Sequence, residues 1–424
     1  MIRFLIKGLL RDKSRSLFPV LTVSAGVFLT VFFYCFMQGV IGDFVRSTAQ
    51  FNAGHVKIMT RAYNELSDQI PNDLAILGAG ELLAEMRESE DKMIWTPRIR
   101  FGGLLDIPDE QGETRAQSPV MGLGVDLMGK DTPEIEILNL EKSIVRGSMP
   151  KGKNEILISE DFAKKLGVSI GETATLIGST MYGGMAVYNF KIAGMVRFGM
   201  VALDRSTVIA DIQDVRSALD MSDGASEILG FTPNMMYDEE EMTELVKDFN
   251  GEFSRKEDEF SPVMLSLSEQ GGFGEYFNMA KSMGSIVVLV FMFAMSIVLW
   301  NSGLLNSLRR YGEIGVRLAM GEPKGALYRR TIAESVVTGI IGSVIGTILG
   351  LAISYYLEHV GMDFSSMMKT SSVLLPDVYR ARVTTTSYII GFIPGVLASV
   401  IGTMFAGIGI YKRKTAQLFK ELEV

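Results

Sequence analysis

The chain has 424 residues, 47% hydrophobic and 21% charged, with a formal net charge of −8. That balance lies between a soluble protein and a bundle of membrane spans, and it excludes collagen, disulfide-rich secreted scaffolds and disorder. The single cysteine, Cys35, precludes an internal disulfide, and the acidic balance argues against nucleic acid as a partner.

Residues 1–15 carry Arg3, Lys7 and Arg11 four positions apart, with Ile2, Leu5, Ile6, Leu9 and Leu10 on the remaining face. The spacing predicts a basic amphipathic helix lying on the cytoplasmic lipid surface, or more simply a helical run-in to the next segment. Residues 16–42 contain no Asp, Glu, Lys or Arg over 27 positions, beyond the ~20 that a helix needs to cross a bilayer core. The window is about twice a signal-peptide core and no A-x-A-like site comes after it, so it is expected to be an uncleaved anchor.

Residues 43–281 show ordinary folded-domain signals and suffice for two subdomains. Stretches 44–51 and 273–283 are placed to extend the flanking helices outward as a stalk. Ser159 opens a predicted helix with Glu160 and Asp161 in its first turn, Lys164 and Lys165 in its last and Gly167 beyond. Residues 174–177 and 187–192 read as strands of a hairpin turning at Gly183-Gly184. Met242, Leu245, Val246 and Phe249 mark one helical face. The expected class is α+β.

Three more charge-free windows complete the pattern, 282–308, 335–357 and 383–411, of 27, 23 and 29 residues. Soluble helices of that length carry a charged face. The predicted fold is therefore a membrane protein of four transmembrane α-helices, one plus three, with a large α+β extracytoplasmic domain between spans one and two. Between the spans lie a cytoplasmic loop at 309–334, an external loop at 358–382 and a tail at 412–424. Charges orient the chain. Residues 1–15 hold five basic and one acidic side chain, 309–334 six and three, 412–424 four and two; residues 43–281 hold 23 and 40, and 358–382 three of each. Positive-inside bias places both termini and the 309–334 loop in the cytoplasm and the long segment outside.

The sequence carries few motifs of catalytic or metal-binding chemistry. His55 and His359 have no ligand spacing around them, so no metal site is expected. There is no G-x-S-x-G, and Cys35 lies in a spanning window where a thiolate is disfavoured. Gly124 to Lys130 has the spacing of a phosphate-binding loop. However, Asp131 stands where a hydroxyl is required, and the segment lies outside, away from ATP; it reads as a coincidence. Asp238-Glu239-Glu240-Glu241 reads as the acidic first turn of the next helix, with calcium binding as the alternative. In the third span Gly342, Gly346 and Gly350 recur every four residues, and the fourth carries Gly391, Gly395, Gly402 and Ala406. Such stripes let helix backbones approach, as generic small-residue packing also does. Asn301 and Thr338 are among the few strongly polar side chains at membrane depth, and no Asp, Glu or Lys joins them. Ion-coupled transport needs such groups, so the driving energy is expected from elsewhere.

The loop after the second span reads Arg309-Arg310-Tyr311-Gly312-Glu313-Ile314-Gly315-Val316-Arg317-Leu318-Ala319-Met320-Gly321. An ordinary basic cytoplasmic loop is the plain reading. The segment resembles the coupling helix of the MacB/FtsX/LolC-LolE family of ABC transporter permeases, and its E-I-G-x-R-x-A-x-G spelling looks closest to the MacB branch. The likeness continues through Glu334 and the glycine stripe of span three. Arg146-Gly147 through Ile158-Ser159, and Phe190 to Gly194, resemble the family's periplasmic core domain. Gly54-His55-Val56-Lys57-Ile58 looks like a segment of LolE-like permeases.

The resemblance implies a non-catalytic subunit of a bacterial inner (plasma) membrane, without a cofactor of its own. ATP and Mg²⁺ would be bound by a separate cytoplasmic ABC ATPase dimer. Further partners would be a second permease copy, identical or paralogous, membrane lipid, and a periplasmic acceptor or adaptor protein. Arg309, Arg310, Glu313, Ile314, Gly315, Arg317, Ala319 and Gly321 would form the ATPase-coupling seat, with Gly315 and Gly321 permitting close contact. Movement of that seat would tilt spans two and three and close the external domains. Lipoproteins or other amphiphiles are the leading cargo. MacB-like efflux of peptides or drugs and FtsX-like signalling to an external hydrolase are the alternatives.

Overall fold

Leu, Val and Phe dominate the first charge-free window, and in the computed structural model it forms part of a single helix, α1 (Lys13–Thr48), with Pro19 near its start. The structure describes residues 13–129, 132–199, 201–255, 257–271, 273–308, 311–363 and 378–412. The predicted surface helix ahead of α1 and the tail after 412 lie outside these. α1 passes into a π-turn, Ala49–Ala53, which Gly54 ends at φ +63°. The chain divides into a membrane unit, 1–42, 280–362 and 379–424, and an external unit, 43–279 and 363–378.

The external unit is organised by one long strand. Its strands are β1 (Val56–Thr60), β2 (Ile94–Pro108), β3 (Thr114–Val125), β4 (Ile144–Gly147), β5 (Glu155–Ser159), β6 (Thr173–Ser179), β7 (Met185–Val196), β8 (Thr207–Asp211), β9 (Glu227–Phe231) and β10 (Pro262–Ser266). The first residues of β2, 94–98, pair with β9; residues 99–108 pair with β3, and Leu104 to Asp106 also pair with β6. Pairing then runs β2-β3-β8-β5-β7-β6 and back to β2, a closed six-stranded ring with β4 on the edge of β7. The pairs β3–β8 and β5–β7 are parallel. Alternation along β2 sends Phe101, Leu105 and Ile107 into the barrel with Ile156, Ile158 and Phe190.

The second lobe is the sheet β10-β1-β9-β2. It is covered by α2 (Ala79–Ser89) through Met86 and by the later helix Glu239–Glu252 through Met242, Val246 and Phe249, around Trp95. The two expected subdomains are thus lobes of one compact unit, because both take their sheet from β2.

Local signals hold with one exception. α3 (Glu160–Leu166) ends on Gly167 at φ +67°, as its charges and glycine predict. Ser159 does not cap it: its hydroxyl donates to Asp204 O at 2.7 Å instead. β6 and β7 form the predicted hairpin. α4 (Ile212–Leu219) packs its apolar side against the barrel. α5 (Glu239–Glu252) begins at Asp238, whose carboxylate accepts Glu240 N and Glu241 N, so the acidic run is a cap.

In the membrane unit α1 is joined by α6 (Phe273–Leu308), α7 (Tyr311–Ala319), α8 (Lys324–Val360) and α9 (Ser399–Lys412). Among the described residues four helices are long and apolar enough to cross a membrane: Leu17–Ala53, Asn278–Leu308, Lys324–Val360 and Thr385–Ile408. The fourth is irregular in its first half, with a 3-10 turn at Thr385–Tyr388 and a π-turn at Ile393–Ala398. Pro394 removes an amide donor there, so the regular ladder resumes only in α9.

Candidate coupling helix and span interfaces

α7 joins α6 to α8 and has two unlike faces. Tyr311, Ile314 and Leu327 form a buried cluster with Leu318 against it. Tyr311 Oη donates to Ala406 O at 2.6 Å, which ties α7 to the fourth span. The outer face carries Glu313, Val316 and Met320, spaced i, i+3 and i+7, with Met320 75% exposed. Glu313 accepts Arg317 Nη2 at 2.7 Å, one turn apart and partly exposed. Such a pair is worth only about 0.3–0.5 kcal/mol, so it shapes the surface more than it holds the helix.

The structure divides the predicted seat. Glu313, Arg317 and Ala319 lie on or near the outer face. Ile314 and Gly315 are buried. Gly321, at φ +94°, closes α7: its amide donates to Leu318 O at 3.1 Å and Glu322 N to Arg317 O at 3.1 Å, a Schellman ending. Its lack of a side chain thus serves the turn. Arg309 and Arg310 lie outside the described residues. Val316, Met320 and Tyr311 were missing from the predicted set, although Tyr311, Ile314 and Leu318 at i, i+3 and i+7 mark the buried face in sequence.

The glycine stripe of α8 faces α1. A methyl group at Gly342 would meet Val23 at 2.7 Å, one at Gly346 would meet Ser24 O at 2.5 Å, and one at Gly350 would meet Val31 at 2.9 Å. Gly391 lies against Val27, Val31 and Thr347, and Gly395 against Val27 and Ser343. Val27, fully buried, is the point where spans one, three and four meet. Gly402 closes on Trp300 of α6, and Gly303 on Ser399. α6 leaves much of its surface uncovered, including Ile286, Leu289, Val290 and Phe293.

In the external unit the stretch Gly54 to Ile58 has structural duties. A methyl at Gly54 would lie 2.6 Å from Val56 O. His55 Nδ1 accepts Thr232 N at 3.1 Å, and burial holds the imidazole down to about 4. Val56 and Ile58 are core residues. Lys57 Nζ lies 2.8 Å from Glu227; burial lowers it to about 8 while Glu227 opposes the fall. Burial would raise the Glu227 carboxyl, but Arg100 and Lys57 bring it to about 2.

The loop-like Gly124 to Lys130 stretch forms no anion cradle over its described part. Gly124 packs on Val215, and the amides of Leu127 and Gly129 are taken by Asp211 and Asp126. Lys130 and Asp131 lie outside the described residues. His359 Nδ1 donates to Tyr355 O at 2.9 Å. Among the described residues no three His, Cys, Asp or Glu side chains group around a metal position.

Comparison with known proteins gives two likenesses. Residues 285–415 match the family model described as FtsX-like permease C-terminal. Among solved structures, the periplasmic region of MacB from Actinobacillus actinomycetemcomitans is similar at 14% identity and a TM-score of 0.33, covering 52% of this chain and 91% of that one. No curated protein matches the chain. The family-matched region contains α7, the glycine stripe and the last two spans, and proteins of this family are non-catalytic transporter subunits. The resemblance carried by residues 309–321 is thereby borne out over residues 285–415, which are similar to the FtsX-like permease C-terminal family.

Proposed function

We propose that this chain couples ATP hydrolysis by a separate cytoplasmic ATPase to movement of its external unit. The observation that carries the reading is α7: a short helix with a buried face packed on Leu327 and hydrogen-bonded to Ala406, and an outer face of Glu313, Val316 and Met320. A push on the outer face reaches Leu327 of α8 through Ile314, and the fourth span through the Tyr311 hydrogen bond. Arg317, Glu313 and Ala319, with Arg309 and Arg310, are the residues through which the ATPase engages. Two permease copies complete the assembly. ATP and Mg²⁺ belong to the ATPase.

The cargo is inferred from what the spans offer. Their charge-free windows hold no acid or base to relay ions, while the external unit is large and folded. Release of lipoproteins or other amphiphiles from the outer leaflet fits both features. The coupling spelling favours a second reading, efflux of peptides or drugs from the periplasm. Signalling to an external hydrolase fits least well, because the external unit is large for that role.

Replacing Glu313 and Arg317 by alanine in the full chain, co-purified with its ATPase, tests the coupling. Membrane insertion and basal ATP turnover should persist, while ATP-dependent change in the external unit falls at least tenfold, a loss of about 1.4 kcal/mol of coupling. Undiminished change would remove α7 from the mechanism. Transfer of an acylated protein from spheroplasts to a soluble acceptor separates lipoprotein release from efflux, for which drug susceptibility after deletion is the readout.

A further inference from the structure

The last carbonyls of a helix lack intrahelical donors, and each must find one elsewhere. At the outer end of α1 this accounting closes residue by residue. Ala49 O accepts Gly54 N at 2.8 Å. Gln50 O accepts Arg98 Nη2 at 2.7 Å, and Asn52 O accepts Arg100 Nη2 at 2.6 Å, with Phe51 O 3.5 Å from the same nitrogen. Ala53 O accepts Gln270 Nε2 at 2.9 Å. The donors come from β2 and from the segment just before α6.

These donors are themselves fixed. Arg98 is fully buried and held by both oxygens of Glu134, at 2.7 and 2.9 Å. Arg100 Nε donates to Glu227 at 2.8 Å, and Gln270 is 6% exposed.

We propose that Arg98, Arg100 and Gln270 are positioning residues that clamp the carbonyl end of the first-span helix to β2 and to the root of α6, so that displacement of a span is delivered to the external sheet. The proposal rests on the coupling reading given above.

Three physical arguments favour it. The carbonyl end of a helix carries partial negative charge, and two guanidinium groups meet it here. A buried ion pair adds little stability over an apolar core, and Arg98 Nη1 has no hydrogen-bond partner at all. A pair kept for stability alone has no use for that cost. Finally, the planar fork of arginine binds Glu134 with Nε and Nη2 while Nη2 also holds Gln50 O, a geometry that lysine cannot reproduce.

The test uses the full chain in lipid nanodiscs with Cys35→Ser, spin-labelled at Arg46→Cys and Gln111→Cys, both exposed positions of the external unit. The native chain should give one narrow distance distribution. Gln270→Met, which removes a donor without burying a charge, and Arg98→Lys should each broaden it about twofold as the helix end is freed. Arg115→Gln, which breaks an exposed ion pair with Glu172, should leave it unchanged. Native widths in both clamp variants would overturn the proposal.

A second measurement tracks hydrogen exchange of β1 and β10 in the complex with its ATPase. In Gln270→Met, ATP turnover should stay within about twofold of native while the ATP-dependent exchange response falls by more than half. An equal response in that variant would overturn transmission through the clamp. No response in the native complex would defeat the coupling reading instead, leaving the distance widths to decide the clamp.

Discussion

His55 shows how one buried side chain sets a pH response. Its Nδ1 accepts an amide proton, with Phe231 and Tyr237 rings 5.7 and 6.0 Å away. The folded imidazole titrates at about 4, below its ordinary 6.5. A depressed folded value means that the unfolded chain takes up the proton first, so stability is complete above pH 6.5 and is lost as pH falls toward 4. The loss is at most about 3 kcal/mol. Glu227, held at about 2, adds its own loss below about 4.5. Lys57, lowered to about 8, acts in a separate window: the folded state gains as pH rises from 8 toward 10.5. The denaturation midpoint of the full chain, followed through buried Trp95, should therefore fall between pH 7 and 5, and His55→Gln should flatten that fall. An unchanged slope in the variant would assign the titration to another group. None of this was legible in the sequence, where His55 stands alone without a ligand spacing, because its partner Thr232 is far along the chain.

At the scale of elements, the glycine stripe was visible as a period of four, but its partner was not. α1 contributes Val20, Val23, Val27 and Val31, a spacing that reads as ordinary apolar helix. A methyl at Gly346 would be driven against Ser24 O, a backbone atom that cannot swing aside. Gly346→Ala should destabilise the membrane unit by about 1–3 kcal/mol and lower the melting temperature of the detergent-solubilised chain. Gly251, inside α5 with nothing within 4 Å, provides the contrast: Gly251→Ala should stabilise by about 0.5–1 kcal/mol. Equal effects at the two sites would mean that helix propensity, and not close approach of α1, decides the first. The same distinction explains the fourth span. Its charge-free length is plain in sequence, while the contacts of Gly391 and Gly395 with Val27 and Ser343 belong to the packed structure.

For the whole molecule, the charge asymmetry predicts which side each part occupies. With Cys35→Ala as background, Gln111→Cys should react with a membrane-impermeant maleimide on intact spheroplasts, and Glu322→Cys should react only after permeabilisation. The reverse pattern would invert the orientation and remove the basis for an ATPase at α7. The barrel was not foreseeable. Its closure depends on β2 pairing with β9, β3 and β6 together, and no local pattern names three partners for one strand.

Sequence by itself determined the four long apolar helices, the sign of charge on each connecting piece, the β6–β7 hairpin and the start of α5 at Asp238. These rest on length, charge and short spacings, which act within a few residues and add along the chain. Tertiary structure alone decided that Ile314 and Gly315 turn inward, that the stripe of α8 meets α1, and that Arg98, Arg100 and Gln270 meet the carbonyls of residues 50–53. Each of those outcomes is a choice of partner across many intervening residues. It is settled by which buried polar group needs a donor and which surfaces fit without overlap, and neither condition is written in local pattern.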